Sequence, residues 1–97
     1  MQLKIHTEGS SLIIYPEGKL DTITAPEFLE AASIVSRGRT SVMLDLTSLT
    51  YISSAGLRAI LSLKKQLGDG STLRIQNPCD IVREVLEISC FTELLES

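Results

Sequence analysis

The run Ser41-Val42-Met43-Leu44-Asp45-Leu46 is apolar on both of its alternating faces, the pattern of a central strand covered above and below. Such a strand needs neighbours along its edges and amphipathic helices over its faces, so the rest of the chain must supply both. With 97 residues, of which 43% are hydrophobic, one domain spanning residues 1–97 is expected, because so short a chain needs every apolar face for a single core.

The flanking sequence meets that demand. Leu3 and Ile5 alternate with Lys4 and His6, and Leu12 to Tyr15 follows a turn at Glu8-Gly9-Ser10-Ser11, which predicts an opening hairpin. Thr24-Ala25-Pro26-Glu27 predicts a helix from about Ala25 to Ser36, with the Thr24 hydroxyl capping, Glu27 reaching back and Pro26 needing no donor. Phe28, Leu29, Ala32 and Val35 share one side of it, and Gly38 suits a left-handed C-terminal position. After the central strand, residues 47–54 read as a hydroxyl-rich loop. Leu57, Ile60, Leu61, Lys64 and Leu67 then recur at helical spacing up to Gly68-Asp69-Gly70. In this helix Leu57, Ile60, Leu61 and Leu67 are expected to face the sheet, with Arg58, Ser62 and Lys65 opposite. Thr72-Leu73-Arg74-Ile75 predicts a strand, and Asn77-Pro78 opens a third helix with Ile81, Val82, Val85, Leu86 and Ile88 inward. Phe91-Thr92-Glu93-Leu94-Leu95 adds one more turn. The order β-β-α-β-α-β-α predicts an α/β fold with a mixed central β-sheet.

Composition narrows the function. Nine Lys+Arg against twelve Asp+Glu give a net charge of -3, and no basic stripe marks a nucleic-acid surface. Cys79 and Cys90 form no CxxC, so the chain reads as carrying reduced thiols. The first twenty residues interrupt every apolar run with charge, and no run approaches the roughly 20 residues of a bilayer span. A cytoplasmic location without membrane insertion is therefore expected. A single histidine, His6, excludes a two-histidine metal site within one chain. Neither GxSxG nor a glycine-rich phosphate loop occurs. Glu27 and Glu30 belong to a solvated helix face.

What stands out is Tyr51-Ile52-Ser53-Ser54-Ala55-Gly56-Leu57-Arg58. One serine before a helix serves as an N-cap. The second hydroxyl, followed by the small residues Ala55 and Gly56, predicts a helix mouth open to close approach by another molecule.

These residues, with Asp45-Leu46-Thr47-Ser48-Leu49-Thr50 before them and Gly18-Lys19-Leu20-Asp21-Thr22-Ile23-Thr24-Ala25-Pro26-Glu27 upstream, resemble the STAS domain family, specifically bacterial anti-sigma factor antagonists. The resemblance spans nearly the whole chain and implies a STAS-type fold. It implies a non-enzymatic role: binding an anti-sigma factor that is also a serine kinase, and so freeing a sigma factor. Phosphorylation by that kinase abolishes binding, and a PP2C-type phosphatase reverses it. No cofactor, metal or catalytic residue is expected.

The family's Asp-Ser-Ser-Gly-Leu motif, aligned on Gly56-Leu57, places the phosphate acceptor at Ser54. Ser53 stands where the family has aspartate, which removes a charge and leaves a rival hydroxyl. The partner surface implied comprises Asp21, Thr24, Ser53, Ser54, Gly56, Leu57 and Arg58. Two other readings remain open at this point. One is a STAS subunit of a membrane transporter or signalling assembly without a phospho-switch. The other is an enzyme with Ser54 as nucleophile and Asp45 or Asp21 as its base.

Overall fold

A computed structural model describes residues 1–88. The turn expected at residues 91–95, and Cys90, lie outside the described residues. The order is β1 (Leu3–Glu8), β2 (Ser11–Pro16), β3 (Gly18–Leu20), α1 (Thr24–Ser36), β4 (Ser41–Asp45), β5 (Leu49–Ile52), α2 (Ser54–Leu67), β6 (Thr72–Gln76) and α3 (Asp80–Ile88). The expected order holds, with two short strands added. β3 and β5 form a separate parallel pair in which Leu20 lies beside Ile52, so part of the loop expected at residues 47–54 is strand.

The main sheet runs β1-β2-β4-β6. β1 and β2 are the antiparallel hairpin, turning at Gly9 with φ 62°, while β4 is parallel to both β2 and β6. The sheet is therefore mixed, and β4 is indeed internal. Its alternation resolves differently from the expectation. Leu12, Ile14, Val42, Leu44, Leu73 and Ile75 are buried on one face, under α1 and α2. On the other face Ile13 and Met43 are half-buried and Arg74 is exposed. Both α1 and α2 pack on the first face and against each other, while α3 packs on β5.

Helix faces follow from this layering. Phe28 and Ala32 of α1 and Ile60 and Leu63 of α2 are fully buried. Leu61, expected inward, is 39% exposed, because it lies 100° from Ile60 around the helix and falls on the flank. In α3, Val82 and Leu86 are buried, but Ile81 and Ile88 point outward at 61% and 75% exposure. So short a helix, resting on a two-stranded ribbon, buries only one narrow stripe.

Candidate functional site

β3 and β5 run in parallel and each leads into a helix, so the first turns of α1 and α2 emerge side by side. The Ser53 N–H donates to the Leu20 carbonyl at 2.9 Å, tying the two exits together. Asp21 and Ser53 thus occupy corresponding positions, each the residue after its strand.

The two turns are built differently. Expected as the cap of α1, Thr24 is instead its first residue, and Ile23 at the cap position gives no side-chain bond. Asp21 does the work: its Oδ1 accepts the N–H groups of Ile23 and Thr24, each at 3.0 Å. The Thr24 Oγ1 accepts the Asp21 N–H at 2.9 Å and lies 2.7 Å from the Lys19 carbonyl, to which it donates. The Thr24 N–H, with the Ile23 N–H, the Thr24 hydroxyl and Lys19, outweighs burial and holds the Asp21 carboxyl below its ordinary value. Glu27 does not reach back to the cap; its Oε1 binds the Met1 ammonium at 2.7 Å.

At α2 the sequence pattern is met directly. Ser53 is in extended conformation at the cap, and its Oγ accepts the Gly56 N–H at 3.3 Å. Ser54 is the first helical residue and is exposed, whereas Ser53 is half-buried. One turn on, Arg58 is exposed on the same side as Ser54. Gly56 and Leu57 are turned the other way. Leu57 is buried in the core, as its expected sheet-facing position requires, and Gly56 is pressed onto β3, so both point away from the exposed Ser54 hydroxyl. The closeness that Gly56 permits is to the chain's own backbone. Beside Ser54, a shallow groove of about 300 Å³ runs between α1 and α2, lined by Ala25, Pro26, Leu29, Ala55, Arg58 and Ser62. Ile23, at 80% exposure, stands at the start of α1 on the same end of the fold.

The alternative of an activated nucleophile fails on the carboxylates. Asp45, 6% exposed, accepts bonds from the Thr47 N–H and hydroxyl on Oδ1, and from Gln76 and Asn77 on Oδ2 at 2.9 and 3.2 Å. Burial raises its pKa, but these four donors together hold it below the ordinary value. A carboxylate so saturated is a poor base. This cluster, which joins the ends of β4 and β6, went unrecognised in the sequence. Its one local signal is Asp45-Leu46-Thr47, an aspartate able to bond the backbone two residues on. Asn77 adds a positive φ of 57°.

Two helix mouths set side by side by a parallel strand pair, one of them carrying the exposed Ser54 hydroxyl, present a surface at one end of a mixed sheet. The chain belongs to the STAS domain family, whose model matches residues 2–96. It is 37% identical over 98 residues to BtrV of Bordetella bronchiseptica, named as an anti-sigma factor antagonist, covering 97% of this chain and 83% of the relative. The fold is similar to that of the anti-sigma factor antagonist SpoIIAA in its unphosphorylated form, with a TM-score of 0.85, 18% identity, and coverage of 98% and 86%. It is also similar to the phosphorylated form of the Bacillus cell fate determinant SpoIIAA, with a TM-score of 0.75, 17% identity, and coverage of 98% and 89%. The sequence relationship is to a non-enzymatic regulator. Among the described residues no helix is long and apolar enough to cross a membrane.

Proposed function

We propose that this chain is a cytoplasmic anti-sigma factor antagonist whose binding to an anti-sigma factor is switched off by phosphorylation of Ser54. The observation that carries this reading is the division of labour in the serine pair. Ser53 is occupied as the cap of α2, while Ser54 presents an exposed hydroxyl at the first helical position. The partner is an anti-sigma factor with serine kinase activity, and a PP2C-type phosphatase restores the binding form.

A phosphate on Ser54 carries nearly two negative charges and sits at the positive end of α2, where the first N–H groups have no intrahelical acceptor. The domain itself tolerates it. The partner meets a bulky dianion on a surface that otherwise offers Ile23, Pro26, Ala55 and Arg58. Steric overlap and desolvation costing about 3–4 kcal/mol weaken binding a few hundredfold.

Phosphopeptide mapping after incubation with the cognate kinase and ATP tests the reading. One phosphate on Ser54 supports it, and label on Ser53 or Thr50 overturns the site. Co-purification of transporter subunits in place of a kinase from the native cell overturns the role.

A further inference from the structure

A wide cleft lies at the pole opposite Ser54, about 20 Å away along the fourteen residues of α2. It is a space of about 620 Å³ between the C-terminal ends of α1 and α2 and the turns that open β4 and β6. Among the described residues its lining includes two guanidinium groups, Arg37 and Arg39, and no carboxylate, in a chain whose net charge is -3. Among the described residues neither arginine has an acidic partner. Arg39 spends one N–H on the Gly9 carbonyl at 2.6 Å, and Arg37 is exposed.

Helix C-termini ordinarily repel anions, and neutralising them is the plainest use for two arginines. Here that demand is already partly met. The Ile34 and Ser36 carbonyls of α1 accept the N–H groups of Arg37 and Arg39, and α2 has Lys64 and Lys65 in its last turn. A buried hydroxyl on the cleft wall is also left over. Ser36 is 3% exposed, and among the described residues its Oγ has no hydrogen-bond partner. A buried hydroxyl without a partner is unfavourable, and a ligand oxygen that reached it would supply what it lacks. Leu63 and Leu67 add an apolar wall, and Gly38 and Gly70 leave open space for a ligand to approach the backbone.

We propose that this cleft binds a small organic phosphate, with the phosphoryl oxygens on Arg37 and Arg39 and the organic body against Leu63 and Leu67. Two unneutralised guanidiniums suit a dianion held through forked hydrogen bonds. The space exceeds what a bare phosphate fills and falls in the range of small-ligand sites. The proposal is independent of the role of Ser54, which lies on the other pole.

Amide NMR titration of the full chain with phenyl phosphate, and in parallel with inorganic phosphate, tests it. Saturable shifts at Gly38, Arg39, Gly70 and Ser71, weaker for inorganic phosphate and reduced at least tenfold in affinity by Arg37→Gln, are the expected result. Among the described residues the Arg37 side chain makes no hydrogen bond or ion pair, and its backbone N–H bond to Ile34 is unaffected by the substitution, so this variant keeps the melting temperature of the parent and its loss reads binding alone. Shifts that do not saturate, shifts centred on Thr24 and Ser54, equal binding of both probes, or an Arg37→Gln protein that binds like the parent each overturn the proposal.

Discussion

The first turn of α2 rests so closely on β3 that a Cβ on Gly56 would stand 2.7 Å from the Leu20 carbonyl oxygen. It would also lie 2.9 Å from side-chain atoms of Leu20 and Ile52. The backbone oxygen cannot swing away, because it already accepts the Ser53 N–H that joins the two helix mouths. Gly56→Ala is therefore expected to destabilise the domain by about 1–3 kcal/mol or more, in spite of alanine's better helix propensity. Urea denaturation measures this. An alanine variant as stable as the parent would show that the contact relaxes freely.

Core and flank of α2 separate just as sharply. Leu63 is fully buried, so Leu63→Ala is expected to cost about 2–5 kcal/mol, a large part of the stability of so small a domain. Leu61 is 39% exposed, and Leu61→Ala should cost about 1 kcal/mol or less. Melting temperatures of the two variants, measured side by side, check the assignment of faces.

Legibility in the sequence followed the length and isolation of each element. β1, β2, β4 and β6 have four or more alternating residues in one sheet, and their pattern is plain. Three-residue β3 and four-residue β5 are different: Lys19, Thr50 and Tyr51 are exposed, and only Leu20, Leu49 and Ile52 are buried. No period can be read from so few positions, and a hydroxyl-rich composition points to a loop. Helix faces were legible to within one position. Periodicity alone cannot choose between Leu61 and Leu63, since both lie within reach of the stripe set by Ile60. At the site, the Ser53 cap and the place of Ser54 were visible as a local pattern. The Asp21 cap was not, because Thr24 offers the commoner arrangement and only the tertiary turn from β3 brings the Asp21 carboxylate to the α1 mouth.

The Asp45 cluster predicts both a mutational and a pH effect. In Asp45→Asn, an amide N–H₂ replaces one of the oxygens facing four donors, and a loss of about 1–3 kcal/mol is expected. The folded carboxyl titrates below its ordinary value of 3.8. Its ionised form therefore stabilises the fold fully above about pH 4, and this contribution fades as pH falls through the lowered value. The gap between parent and variant should accordingly be widest near neutrality and shrink toward about pH 2. Denaturation curves across that interval measure it, and a gap independent of pH would contradict a charge-dependent role.

Arg58 tests the surface around the proposed switch without touching the core. It is exposed and lies one turn beyond Ser54. Reversing its charge in Arg58→Glu should leave stability within about 0.5 kcal/mol of the parent and weaken association with the anti-sigma partner, chiefly through a slower on-rate. Surface plasmon resonance at two salt concentrations reads both rates. Parent-like binding would remove Arg58 from the interface.

The serine pair itself yields the sharpest contrast, because neighbouring hydroxyls should fail in opposite ways. Ser53→Ala removes the oxygen that accepts the Gly56 N–H and should lower stability by about 0.5–2 kcal/mol, the usual loss for an N-cap. It leaves Ser54 exposed, so at temperatures where the domain is folded the variant should still be phosphorylated and should still bind when unmodified. Ser54→Asp acts at the first position of α2, where a carboxylate meets the positive end of the helix, and its stability should match or slightly exceed that of the parent. Its partner affinity should fall, since the charge stands on the proposed docking surface, although by less than the few hundredfold of a dianion. Ser54→Ala should bind without being switchable. Melting temperature, partner affinity and phosphate incorporation, measured on the three variants, distinguish a cap from a switch. If Ser54→Asp lost binding only in proportion to lost stability, the role of Ser54 would be structural and the interface mechanism would fall.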